Sequence, residues 1–168
     1  VTNVVFSILK DWYVKNHIEL DETYWQHYAR HFAVSMFNME WLPPGRGLWA
    51  MGTDFIYNRG SMGLQNCGLT RINNVGADIS WMMDALMCGV GVGFLPERDD
   101  SLPVCEPKGE ETFIIRDSRE GWCDSVEALI NSYLTPSTNL VFDYTQIRPK
   151  GAPIKGFGGV CSGYEPLE

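Results

Sequence analysis

Positive charge is scarce in this sequence. It carries 13 Lys and Arg against 21 Asp and Glu, a formal net charge of −8, and so lacks the basic face that a nucleic-acid binder presents. A few local donors can still hold a phosphorylated small molecule. Long apolar runs are missing too: no stretch approaches the ~18 residues needed to cross a bilayer, and the first residues lack the basic-then-apolar order of a signal peptide. The five cysteines are odd in number and show no paired close spacing, which argues against a secreted disulfide framework. Reduced thiols in a cytoplasmic setting are the expectation. There is no internal repeat and no low-complexity tract.

Aromatic residues are plentiful, at 12% with six tryptophans, as suits a segment that packs against neighbouring chain. A chain of 168 residues can bury one ordinary core. Its start at Val1, its stop at Glu168 and the crowding of its motifs toward the end lead to the expectation of a piece of a larger protein.

Two helices are expected first. One runs from about Thr2 to His17, with Val5, Ile8, Leu9 and Trp12 at helical spacing, and the next follows Asp21 as N-cap. His27 and His31 stand four apart on the second, a spacing that suits a metal. The glutamate that a zinc-protease pattern needs is replaced by Tyr28, and a solvated or hydrogen-bonded pair fits better. Leu42 to Trp49 (LPPGRGLW) reads as a helix stop and a shaped loop. Within it Arg46 fits either of two roles, a guanidinium for phosphate or a corner salt-bridged to a carboxylate. A polar loop over Asn58–Ser61 then leads toward Cys67.

The stretch from Leu64 to Phe94 organises the rest. Gln65-Asn66-Cys67-Gly68 precedes an amphipathic helix capped by Asp78, with Ile79, Met82, Met83, Leu86 and Met87 as its buried face and Gly89 as its stop. Gly89 to Phe94 (GVGVGF) closes this helix instead of opening one, which removes the dinucleotide-binding order of glycines. It reads as a strand with one bare edge, where backbone can approach a ligand closely. Cys67 is the candidate redox residue beside a substrate lying against that backbone. Beyond it come a polar excursion over 95–111 and a short strand at Thr112–Ile115. A helix capped by Asp117 or Ser118 carries Trp122, Val126, Leu129, Ile130 and Tyr133, and a strand holds Leu140, Phe142 and Tyr144. The glycines and lysines of 147–159 suit either an anion-contacting loop or a flexible connector.

In one colinear order, PGRGLW (44–49), GTD (52–54), Asn66-Cys67, Leu86–Phe94, DSREGW (117–122) and the run from Ile147-Arg148-Pro149 to Ser162-Gly163 resemble the large-subunit fold of ribonucleotide reductases. The match is to the adenosylcobalamin-dependent, monomeric ribonucleoside-triphosphate type, and it spans about Leu42 to Glu168. The resemblance implies an α/β fold, the opening portion of a ten-stranded barrel, preceded by a helical segment over 1–41. It also implies an insertion at about 95–146 that helps build an effector site. Its chemistry is reduction of the ribose 2′ position by a thiyl radical and a pair of reducing cysteines, with Cys67 as the first of that pair.

By the same resemblance Asn66, Val90 and Gly91 line the substrate, and Lys155, Gly156, Phe157 and Gly158 belong to a loop near a deoxynucleotide effector. The implied partners are a ribonucleoside triphosphate, that effector and a thioredoxin-like reductant, with neither nucleic acid nor membrane. Adenosylcobalamin is the implied cofactor, held mainly by residues outside this sequence. The radical cysteine, the second reducing cysteine and a C-terminal cysteine pair are not found here. Rival readings are a dimeric ribonucleoside-diphosphate reductase subunit, a non-catalytic nucleotide-sensing module, and a structural fragment in which Cys67 is merely buried.

Overall fold

Two compact units divide the chain, Val1–Leu64 and Gln65–Glu168, in a computed structural model that describes residues 1–97, 102–154 and 159–168. The first unit is helical. Helix α1 spans Thr2–Lys15 and α2 spans Glu22–Phe37, the latter capped by Asp21, whose carboxylate accepts from the Tyr24 amide at 3.0 Å. Edge-on rings join the two: Phe6 lies 6.1 Å from Trp25 and 5.6 Å from Phe32, and Tyr13 lies 5.5 Å from Trp25. Such quadrupole-matched pairs add to plain area burial. His27 and His31 are exposed.

The loops expected next are helical. Pro44, with its fixed φ of −51°, sits at the N-cap of α3 (Gly45–Ala50), because a prolyl ring pre-sets the angle a first turn needs. Arg46 donates to the Gly63 carbonyl at 3.5 Å and so fastens α3 to a short 3₁₀ turn at Ser61–Leu64. Where a polar loop was expected over Asn58–Ser61, α4 (Asp54–Arg59) forms instead and ends at Gly60 with φ 76°. An element as short as α4 shows no helical period to announce it. Gly63 is packed so tightly that a Cβ there would lie 2.4 Å from the Phe55 ring.

The second unit is built from two successive βαβ crossovers. Strand β1 (Cys67–Ile72), helix α5 (Val75–Met87) and strand β2 (Gly91–Pro96) form the first, with β1 and β2 parallel. Strand β3 (Glu110–Ile114), helix α6 (Arg119–Leu134) and strand β4 (Asn139–Asp143) form the second, also parallel. A crossover helix is what a parallel pair requires. Among the described residues the strands make two separate two-stranded sheets. The class is mixed α/β as expected, and no closed barrel is seen.

Helix α5 starts a turn before the expected cap. Asn74 is the N-cap, accepting from the Ala77 amide at 3.3 Å, while Asp78 reaches back to the Asn73 and Asn74 amides at 2.8 Å each. Asp78 therefore satisfies end donors from inside the first turn. In α6 the cap is Ser118, whose hydroxyl accepts from Gly121 at 2.9 Å.

The helices α5 and α6 pack antiparallel through small residues. Asn131 approaches Gly76, Ser80 donates to the Cys123 carbonyl at 3.2 Å, and Asp84 meets Arg119. Gly76, Ser80 and Ala85 of α5 are buried, as are Gly121, Cys123, Ser125 and Ser132 of α6. Of the large apolar residues expected on these faces, Leu86 is 54% exposed, Leu129 40% and Tyr133 44%, while Ile79, Met82, Met83 and Met87 of α5 and Trp122, Val126 and Ile130 of α6 are half-buried. Small side chains let the helix axes approach, so they won the interface that periodicity alone assigned to bulk.

Candidate functional site

The register of the first sheet decides what Cys67 faces. Cys67 is opposite Gly91 and Leu69 opposite Gly93. Successive residues of a strand point to opposite faces, and Gly68 faces α5: a Cβ there would lie 3.3 Å from the Trp81 ring. Cys67, Leu69, Gly91 and Gly93 therefore share the face turned away from the helix. A Cβ at Gly91 would meet only the Asn66 carbonyl at 3.6 Å, and one at Gly93 the Leu69 Cδ1 at 3.4 Å. The absent side chains leave a bare trough of backbone beside an exposed thiol.

The substrate-lining residues named from the sequence divide on inspection. Asn66 is exposed and adjoins Cys67. Its carbonyl accepts from the Gly91 amide at 2.9 Å, and the Val90 amide donates to Ala85 at 3.0 Å. Both N–H groups are thus already used within the fold, so neither serves as an anion donor. Val90 as a whole residue is only 2% exposed, so of the two only Gly91 offers open backbone surface. The effector-loop residues Lys155, Gly156, Phe157 and Gly158 lie outside the described residues. The base of that loop is described: Pro153 bridges Val160, the Gly151 amide donates to the Cys161 carbonyl at 2.9 Å, and the Cys161 amide donates to the Ala152 carbonyl at 2.7 Å.

Of the five thiols Cys67 is the exposed one; Cys88, Cys123 and Cys161 are buried and Cys105 is intermediate. Burial, with the Asp84 carboxylate second, pushes the Cys123 thiol from 9.0 up to about 11. In the folded protein this group stays protonated where its unfolded counterpart ionises. Its contribution to stability is therefore complete below pH 9 and falls as the pH rises toward about 11. Since the thiolate is the nucleophile, brief iodoacetamide treatment of the native protein at pH 8 should carboxamidomethylate Cys67 and leave Cys123 unmodified by peptide mass spectrometry. Equal labelling would show that the fold does not protect Cys123.

Sequence reasoning missed an ionic cluster around the first turn of α6. Arg119 pairs with Asp84 at 3.0 Å and with Glu120 at 3.0 Å, and it donates to the Cys88 sulfur. Two residues earlier Asp117 receives the Arg148 guanidinium at 2.7 Å. One signal was available: a cation at the first position of a helix opposes the macrodipole, so Arg119 had to be engaged elsewhere. Among the described residues no group of three or more His, Cys, Asp or Glu is arranged to hold a metal. No helix among them is long and apolar enough to cross a membrane.

Comparison with known proteins now bears on this arrangement. Residues 98–168 match the family described as B12-dependent ribonucleotide reductase, insertion domain, and residues 1–53 match the ribonucleotide reductase alpha domain. A probable adenosylcobalamin-dependent ribonucleoside-triphosphate reductase of Dictyostelium discoideum is 37% identical over all of this chain and 25% of its own length. The adenosylcobalamin-dependent ribonucleoside-triphosphate reductase of Euglena gracilis is 38% identical over 79% of this chain and 19% of its own. That of Lacticaseibacillus paracasei is 30% identical over 83% and 27%. A solved B-12 dependent (class II) ribonucleotide reductase shares the fold with a TM-score of 0.68 at 22% identity, over 92% of this chain and 30% of that one. The chain spans about a fifth to a quarter of the length of these curated relatives. With both family matches in colinear order and these relatives covering most or all of it, the chain belongs to the B12-dependent ribonucleotide reductase family.

Proposed function

We propose that this chain forms the opening part of a ribonucleoside-triphosphate reductase, in which Cys67 is one of two cysteines that reduce the ribose 2′ position. The observation that carries the reading is the exposed Cys67 thiol set opposite Gly91, on a face where Gly91 and Gly93 of β2 carry no side chains. Two thiols become one disulfide as the 2′-hydroxyl leaves as water and hydrogen takes its place. The two electrons and two hydrogens all come from the cysteine pair. A radical cysteine on the remainder of the polypeptide opens the reaction by taking the 3′ hydrogen, and a thioredoxin-like dithiol restores the pair.

The geometry limits where the second sulfur comes from. Disulfide closure needs Cα atoms about 4.4–6.8 Å apart, and β2 occupies one side of β1 with Gly91 directly opposite Cys67. The partner therefore approaches from the other edge of β1 or from above the open face. Exposed Leu69, at 74%, supports the same conclusion, since the rest of a barrel would cover it. In this reading the barrel portion begins near Leu42, and residues of about 95–146 form the insertion that, with the segment whose base is the Pro153–Val160 bridge, faces a deoxynucleotide effector.

Adenosylcobalamin supplies radical generation when bound to such reductases. The surroundings of Cys67 offer one thiol, one side-chain amide and backbone groups already paired, a donor set that does not fit a corrinoid. Its site is accordingly assigned to the rest of the polypeptide. The reaction itself belongs in the cytoplasm, where thiols stay reduced.

The test is made on the complete polypeptide. Incubated with a ribonucleoside triphosphate, a dithiol and adenosylcobalamin, it should yield the deoxynucleotide. Activity only with ribonucleoside diphosphates and a metal-radical subunit would replace this reading with the dimeric type. Nucleotide binding with no reduction under either condition would leave a sensing module.

A further inference from the structure

We propose that Arg119 and Asp117, two residues apart at the start of α6, are positioning residues that join the base of the hairpin at the Pro153–Val160 bridge to the glycine wall facing Cys67. The inference rests on the reading above for what the wall and hairpin do, and on the structure for the connection itself.

Arg119 reaches in one direction. Its side chain is only 15% exposed and holds Asp84 at 3.0 Å and the Cys88 sulfur. These two residues end α5. After Cys88 and Gly89, the chain enters Val90 and Gly91, and the Gly91 amide is bonded to Asn66 beside Cys67 at 2.9 Å. The departure of β2, and with it the wall opposite the thiol, is therefore set by where Arg119 fixes the end of α5.

Asp117 reaches in the other direction. It holds Arg148 at 2.7 Å, and the same guanidinium donates to the Pro153 carbonyl at 3.3 Å. The Arg148 carbonyl accepts from the Cys161 thiol at 3.7 Å. Arg148 thus clasps both legs of the hairpin. Ser118, between the two charged residues, caps α6, so Asp117 and Arg119 are fixed relative to each other by a rigid helix start. A displacement of either partner is passed through that turn.

Hydrogen exchange separates this link from two local contacts. In the complete, cofactor-loaded polypeptide, Arg148→Met touches neither α5 nor β2. It should nonetheless raise amide exchange ~3–10-fold at 89–93 as well as at 149–154. The same variant should raise the ribonucleotide KM by a similar factor while kcat stays within about 2-fold, the pattern of altered substrate placement. Arg119→Met should act on the same two segments, and the double variant should fall short of the product of the two effects. Faster exchange confined to 149–154 in Arg148→Met overturns the proposal, as does a fully multiplicative double variant.

If the methionine variants exchange rapidly throughout residues 65–168, Arg148→Lys and Arg119→Lys decide by the same comparison. Each keeps its charge while losing the second hydrogen bond. Exchange is read without turnover, so a polypeptide that reduces no nucleotide would defeat the proposed function and leave this test standing.

Discussion

Cys67→Ser in the complete polypeptide should abolish multiple-turnover reduction, with a loss on the order of 10³-fold or more. A serine hydroxyl matches the thiol in shape but neither donates its hydrogen readily nor joins a second sulfur. Because Cys67 is exposed, the substitution should leave thermal stability within about 0.5 kcal/mol of wild type. Loss of activity would then report chemistry and not folding. A pre-reduced wild-type enzyme, given no external dithiol, should release about one deoxynucleotide per active site, and the serine variant none. Full turnover by the variant would remove Cys67 from the reducing pair and with it the central assignment.

Gly121→Ala carries the largest expected cost in stability. A Cβ at Gly121 would lie 2.5 Å from the Arg116 carbonyl oxygen, 2.7 Å from its Cβ and 3.0 Å from its carbonyl carbon. Main chain meets main chain here, so no rotamer change relieves the clash and either α6 or the end of β3 must move. Overpacking of this kind costs about 1–3 kcal/mol, and the upper part of that range applies where the neighbour is backbone. Gly91→Ala is the matching control. Its Cβ meets an ordinary 3.6 Å contact, so it should fold normally while narrowing the trough beside Cys67. Chemical denaturation of both variants separates them: a Gly121→Ala midpoint equal to that of Gly91→Ala would show that the first turn of α6 tolerates the shift.

Much of this architecture was written in local chemistry. Asp21 and Ser118 announced helix starts because their short side chains can bond an amide three residues on, and both do. Gly89 announced a stop, and its φ of 80° is the conformation glycine alone adopts cheaply. The alternating glycines after it gave β2. Less legible was which face of α5 and α6 would be buried. Leu86 and Leu129 satisfied the helical period, yet Ser80 and Cys123 took the contact. That choice depends on a partner helix more than 30 residues away, which no local window contains. The same distance hid the Arg119–Asp84 and Arg148–Asp117 pairs. At the candidate site, sequence put Cys67 and Gly91 in one stretch, and the strand register sets them opposite each other. It could not show that the Gly91 amide is already spent on Asn66, since pairing register fixes that.

The two crossovers have a bearing on how the polypeptide emerges during synthesis. Cys67 pairs with Gly91 and Glu110 with Asn139, so each parallel pair is completed within a few tens of residues of chain. Parallel sheets usually demand distant strands, and distant pairing slows folding because loop closure must come first. Here each βαβ module contains its own closing helix, and the first can form before the second has left the ribosome. The exposed thiol of Cys67 would then stand on finished secondary structure while the second module is still being made, open to any oxidant met in that interval.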